Sequence, residues 1–472
     1  MTIAKTAAKG VSWTAGSTLF RAVLQVAQLL IVARYLTPAE LGILAIVNLV
    51  VGFAQIFGDA GLSNALIYYK DLTKKQLNSL YLINIIFGLS LTLSVLLLSI
   101  PISVFFEMPD LVKLLIAISP VFLIRSLYQQ PMALLQQRFK FNILAKAETI
   151  AAIVGFTTLI LCLGYEMRMS AIVASQLVTA GLLGLLIVVM SQTKCPKFEV
   201  PDWRSIKQPI KYGFYQAGEA CINFLSAQFD QLLIGKLMGA ESLGIYSYIK
   251  ALVFRPAMQL INPVVHKVTF PLMSHYKEQH AIADIYWQIL RILSLLNLPL
   301  YMAFIMYPDT ILGFVFGAEW VQYGELLRWL AVYMLFISLI NPVGAMLRAT
   351  GEVKRAFWWN VLVTITRPAV VIFSFPYGLE WIVKSLVAQQ VLLFFAHWLV
   401  LVRPVSKLSL WKFLSAFKQA MLLCLVSMFM VATGHYIIPN ISTTIELVIL
   451  LSTYTLLLLP IAKKTVKEIR NR

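Results

Sequence analysis

The stretch SLYLINIIFGLSLTLSVLLLSIPISV, residues 79–104, runs for 26 residues without a charged side chain. At about 1.5 Å per residue, a helix over this stretch is roughly 39 Å long, enough to cross a hydrocarbon core of about 30 Å. The rest of the chain repeats the pattern. Of 472 residues, 60% are hydrophobic and 13% charged, with a mean hydropathy of +0.80. Soluble domains run at about 45–50% apolar and about 25% charged. These values exclude a soluble enzyme, a disordered chain and a fibrous one. The fold class is an all-α polytopic membrane protein.

Working outward in both directions gives fourteen expected spans: 11–33, 41–67, 79–104, 111–136, 143–164, 170–190, 211–235, 243–266, 285–306, 326–347, 357–376, 379–401, 413–437 and 443–462. The fourth, seventh and eighth carry internal charges or prolines. Lys5 and Lys9 precede the first span as they would a signal peptide. That stretch is too long, carries Arg21 and lacks an A-x-A site, so it reads as a retained helix. The longest loops, 191–210 and 267–284, leave no room for a soluble catalytic domain.

The net charge of +18 is mostly topology. Taking loops alternately, 27 Lys and Arg fall on the side of the N-terminus. Only five fall opposite (Arg34, Lys113, Arg168, Lys236 and Lys384), and seven lie within spans. Cytoplasmic loops collect Lys and Arg, so both termini are expected in the cytoplasm. The surplus therefore calls for no nucleic acid. Cys162, Cys195, Cys221 and Cys424 form neither a disulfide framework nor metal-ligand spacing.

An internal repeat follows. RYLTPAELGIL (34–44) aligns with KLMGAESLGIY (236–246) at an offset of 202 residues. A weaker match sets QPMALLQQRFK (130–140) against NPVGAMLRATG (341–351). Six spans per half make the repeats parallel, with a substrate path expected between them. The expected organisation is an N-lobe (1–190), a cytoplasmic linker (191–210), a C-lobe (211–401) and a last pair of spans with a tail (402–472).

FGDAGLSNALI (57–67), LGIYSYIKAL (243–252), VTFPLMS (268–274) and PVGAMLRATGE (342–352) resemble signatures of Wzx-type polysaccharide flippases of the MOP superfamily. The first is most similar to the colanic acid type of exopolysaccharide exporter. The resemblance implies two six-helix lobes around a central cavity, alternating access, and fourteen spans rather than the twelve usual in drug exporters. It also implies a substrate of polyprenyl pyrophosphate bearing an oligosaccharide, flipped across a bacterial inner membrane, with a polymerase machinery as partner.

The embedded charges are the candidate site. Arg21, Arg125, Arg255 and Arg367 lie about 15–21 Å into their spans, where a charge costs about 2.5–3.5 kcal/mol on insertion scales. Ion pairing or snorkelling is the structural alternative, and it suits Lys250, Arg291 and Arg328 best. Against seven cations stand Asp59, Glu148, Glu219 and Asp230. The excess favours an anionic substrate, with Arg21, Arg125, Arg255, Arg367 and Lys250 as its binding residues. Asp59 and Glu148 are the candidates for a coupling proton or sodium ion. No other cofactor is expected. His266, His275 and His280 read as a solvated loop. The rivals are a cation-coupled drug exporter, which would want embedded acid instead, and a membrane enzyme of polysaccharide synthesis, which would want a larger outer loop or an acid/base cluster.

Overall fold

A computed structural model of the chain describes residues 3–59, 66, 72–191, 203–263, 265, 273, 279–438 and 441–470. The described residues are helical and form two compact units, Met1–Ser247 and Tyr248–Arg472. Most of the linker 191–210, most of the segment 267–278, and most of the motifs FGDAGLSNALI and VTFPLMS lie outside the described residues, whereas His280 falls in a described helix.

In the first unit the helices are α1 (Ile3–Tyr35), α2 (Pro38–Asp59), α3 (Lys74–Phe106), α4 (Asp110–Ile118), α5 (Pro120–Gln137), α6 (Phe141–Gly164) and α7 (Met169–Ser191). Their ends are set by local chemistry. Thr37 and Glu40 form a reciprocal cap at the start of α2: the Thr37 N–H donates to Glu40 Oε2 (2.9 Å) and the Glu40 N–H to Thr37 Oγ1 (3.4 Å). Thr73 and Gln76 do the same for α3 (2.8 and 3.3 Å). Each box satisfies two backbone donors that a helix start leaves free. The α6–α7 hairpin closes tightly, with Ser175 Oγ donating to the Gly155 carbonyl at 2.7 Å. Small residues at such crossings let backbones approach, which matters where lipid gives no hydrophobic drive to association.

The helix α8 (Trp203–Arg255) spans 53 residues. Unbroken it would be about 80 Å long, more than twice the bilayer core. It breaks at Gly239, whose φ of 81° and ψ of −176° suit a residue without a Cβ. Gly235 packs on Leu243 across the break. The arms correspond to the seventh and eighth expected spans, and the segment up to Ser247 packs in the first unit. With nine charged residues α8 falls short of a membrane-span composition. Elsewhere among the described residues, twelve helical stretches are long and apolar enough to cross a membrane, matching the other twelve expected spans.

The two repeat motifs meet inside this unit. A methyl group at Gly42 would overlap the carbonyl oxygen of Ala240, and one at Gly244 would overlap that of Pro38. Pro38 and Ala240, and Gly42 and Gly244, are each 202 residues apart. The contact is therefore reciprocal, as across a two-fold axis.

In the second unit, α9 (Gln279–Met306) is the hub. It packs on α11 (Gly324–Ile340), α16 (Leu410–Ile437) and α17 (Thr443–Arg470). Around it come α10 (Pro308–Val315), α12 (Val343–Ala349), α13 (Val353–Ser374), α14 (Leu379–His397) and α15 (Arg403–Ser406). The core holds Tyr286, Leu290, Leu293, Met346 and an aromatic stack of Phe394, Phe413 and Phe417, with ring centroids 5.3–5.8 Å apart. Two turns of π-helix, Pro256–Ile261 and Trp398–Val402, interrupt its helices.

Candidate functional site

Arg21 on α1 and Glu148 on α6 form an ion pair, Nη2 to Oε2 at 3.0 Å, and Arg21 Nε donates to the Ser17 carbonyl at 3.4 Å. Both side chains are only partly buried (31% and 16% exposed), so the pair is worth less than a fully buried one. Glu148 is thus engaged by Arg21, while the Asp59 side chain lies outside the described residues.

Arg125 on α5 belongs to the same neighbourhood. Tyr128, one turn further along α5, lies within electrostatic range of both Arg125 and Glu148. The Tyr128 ring packs on Gly184 of α7 and is buried. Arg125 Nε is buried and has no hydrogen-bond partner among the described residues. Two arginines and one glutamate leave this cluster one positive charge in excess. Beside it, α1 and α6 enclose a groove of about 520 Å³.

In the second unit, Lys250 and Arg255 lie near the end of α8, and Arg367 lies in α13; all three are half-buried. Arg255 immediately precedes the π-turn at Pro256 and lies within electrostatic range of Tyr248. Such π-turns are frequent at functional sites. Arg367 precedes Pro368, whose missing N–H loosens the helix there. The Asp and Glu residues in the described helices of this unit stand near helix ends, as Asp284, Asp309, Glu325, Glu380, Glu446 and Glu468 do. The helix interiors carry Arg291 and Arg367 and no carboxylate.

Arg291 and Arg328, read as structural, have local partners. Arg291 Nε donates to Gln419 Oε1 (2.8 Å), and the guanidinium lies over the Trp287 ring. Arg328 pairs with Glu325 and donates to the Ile305 carbonyl (3.1 Å). On the opposite loops the few cations are largely tied to acids. Arg168 makes a two-bond fork to Glu40, Lys236 Nζ meets Glu107 at 2.8 Å, and Lys384 meets Glu380 at 3.2 Å. The Lys236 ammonium holds the exposed Glu107 carboxyl below the usual carboxylate range, chiefly through this hydrogen bond.

Three features escape a reading of the sequence. Tyr128 could have been found from its i+3 spacing to Arg125. Asp230 is buried and accepts the Tyr246 hydroxyl at 2.6 Å and the Gln231 N–H at 2.9 Å. That pairing has no signal in spacing. Lys146, counted with the inner loops, lies in the second turn of α6 and lines the α1–α6 groove.

Comparisons with known proteins identify the family and the fold. The family described as "Polysaccharide biosynthesis protein" matches residues 31–325. The teichuronic acid biosynthesis protein TuaB of Bacillus subtilis is 31% identical over 359 residues, 76% of this chain and 74% of its own length. The lipopolysaccharide biosynthesis protein WzxC of Escherichia coli is 25% identical over 408 residues, covering 86% and 82%. Among solved structures, the lipid II flippase MurJ in an inward closed conformation superposes with a TM-score of 0.76 at 16% identity, over 96% of this chain and 99% of that one. An inward-facing multidrug MATE transporter of the MOP superfamily gives 0.63 at 14%, over 82% and 95%. The structural likenesses establish a fold shared with both; the sequence matches go further, and the chain belongs to the polysaccharide biosynthesis protein family, with the Wzx-type resemblance of its motifs.

Proposed function

We propose that this multi-pass membrane protein is a flippase. It moves polyprenyl-pyrophosphate-linked oligosaccharide units from the cytoplasmic to the outer leaflet of the bacterial inner membrane by alternating access, for exopolysaccharide or O-antigen synthesis. It works as a transporter rather than an enzyme. The observation that carries this reading is the excess of cations at mid-span depth within a chain of this family. Arg21 and Arg125 stand in one neighbourhood against a single Glu148, and Arg367 lies in the interior of α13, which carries no carboxylate. A diphosphate crossing a low-dielectric region needs compensating charge, and arginine supplies it as a permanently protonated, planar fork.

In this reading the lobes are residues 1–190 and 211–401, joined by a cytoplasmic linker at 191–210, and both termini are cytoplasmic. The reciprocal packing of the two repeat motifs supports a duplicated architecture. Lys250 and Arg255 complete the cationic path. A proton or sodium ion drives the cycle through Asp59 or Glu148, and a polysaccharide polymerase takes the product. A drug exporter of cations is disfavoured because the embedded surplus is basic.

The test is complementation of a flippase-deficient strain, with surface polysaccharide as readout and membrane level checked by blot. Arg→Ala at two or more of Arg21, Arg125, Arg255 and Arg367 abolishes export while insertion persists. Normal export by all four single variants and their combinations overturns the cationic path.

A further inference from the structure

The α1–α6 groove has a composition that the ion pair beside it does not explain. From α1 come Gly16, Ser17 and Phe20; from α6 come Lys146, Thr149 and Ile150. Hydroxyls and an ammonium thus share one mouth with an aromatic ring and a branched apolar side chain. Lys146 is exposed and has no ion-pair or hydrogen-bond partner among the described residues. It lies about 8 Å along α6 from Phe141, and Thr149 about 12 Å. On the expected topology the groove therefore opens in the half of a roughly 30 Å core that faces the basic loops. Gly16 faces open space, since a Cβ there would meet nothing within 4 Å. Arg21 directly follows Phe20 on α1, and Glu148 lies between Lys146 and Thr149 on α6.

We infer that this groove is an inner-leaflet docking site for the diphosphate of the carrier lipid, and that Glu148 is the anion the diphosphate displaces from Arg21. The inference rests on the flippase reading and adds the residues that first receive the substrate. Lys146 attracts the phosphate, and Thr149 donates a hydroxyl hydrogen bond to its oxygens. Phe20 and Ile150 lie along the first carbons of the isoprenoid chain. Arg21 is held meanwhile by Glu148, which keeps the guanidinium neutralised and oriented while the groove is empty. A bound diphosphate offers more negative charge than one carboxylate and takes the fork over. The ion pair is then a placeholder for the ligand.

Competition has a sign that scaffolding lacks. If Glu148 competes, Glu148→Gln frees Arg21 and binding tightens; if Glu148 merely holds Arg21 in place, the same change weakens binding. The purified full chain in detergent is titrated with decaprenyl diphosphate and, separately, with phosphatidylglycerol, and bound lipid is read by native mass spectrometry. Wild type is expected to prefer the diphosphate. Lys146→Met weakens it by about tenfold or more, the loss of one charge-assisted contact. Gly16→Leu fills the groove without touching a charge and does the same, while favouring helix. Glu148→Gln strengthens it several-fold.

Wild-type preference for the diphosphate with unchanged affinity in both Lys146→Met and Gly16→Leu overturns the site and leaves the flippase reading standing. Weakening by Glu148→Gln overturns the displacement. Equal binding of phosphatidylglycerol makes the groove a general anionic-lipid contact and overturns the committed ligand. Failure of wild type to bind the diphosphate counts against both this site and the flippase reading.

Discussion

The crossing of Gly42 and Gly244 allows a sharp test, because one separation relieves two clashes. Adding a methyl at either position drives it into a backbone carbonyl, Ala240 in one case and Pro38 in the other, and neither can rotate away. Restoring a C···O separation of about 3.3–3.6 Å requires the helices to part by roughly 1–2 Å. Overpacking of this kind costs typically 1–3 kcal/mol, and a rigid backbone target puts it near the upper end. Replacing Gly by Ala within a helix returns about 1 kcal/mol of propensity. Each single Ala variant should therefore lose about 2 kcal/mol net. In the double variant the helices part once but the propensity gain comes twice, so its loss falls to about 1 kcal/mol instead of the additive ~4. Gly218→Ala is the control: nothing lies near its Cβ position, and it should stabilise. Thermal unfolding of the purified proteins, followed by tryptophan fluorescence, gives the ranking: Gly218→Ala highest, then wild type, the double variant, and the singles lowest. A double variant that falls by the sum of the singles would falsify the reciprocal contact. Single variants as stable as Gly218→Ala would do so too.

Tyr246→Phe removes the hydroxyl donor from the buried Asp230 carboxylate and should destabilise by about 1–3 kcal/mol, with Asp230→Asn in the same background restoring part of it; thermal unfolding decides. Arg21→Lys should export better than Arg21→Ala, because charge survives and only the two-bond fork is lost; equal loss would mean geometry alone matters. For Glu107, the sign follows from its depressed pKa: the tie to Lys236 persists as pH falls through the ordinary carboxylate range and is lost only below it. Carbodiimide labelling of Glu107 should therefore begin at lower pH in wild type than in Lys236→Met. Cysteines placed within residues 307–325 should react with an impermeant maleimide in intact spheroplasts, and cysteines after residue 462 should not; the reverse pattern would contradict cytoplasmic termini.

Span positions were legible because a bilayer imposes its thickness on the sequence. Residues 79–104 fall inside α3, and the charged seventh and eighth spans turned out to be the arms of one interrupted helix. The repeat was legible from the L-G-I motif, but not the fact that its two copies touch, since alignment carries no distance. The embedded arginines stood out because each is costly in lipid. Their partners did not, because Arg21 and Glu148 come together only through helix packing that no periodicity encodes. Lys146 was hidden by its own usefulness in the loop count. A charge two turns from a helix start reads as topology until the neighbouring helix gives it a groove.

The composition of α8 bears on how the chain reaches the membrane at all. An insertion machinery reading segments one at a time meets a stretch with Glu219, Asp230 and Lys236 where each earlier helix offered an apolar run. At about 2.5–3.5 kcal/mol per centrally placed charge, the first arm partitions poorly alone. The break at Gly239 lets the second arm fold back on the first, so that the Tyr246 hydroxyl reaches Asp230 within the same hairpin. Gly42 of the already inserted α2 then supplies a notch for the turn. The hairpin thus carries within itself the donor that its buried carboxylate needs, and the notch that seats its turn belongs to a helix made earlier in the chain.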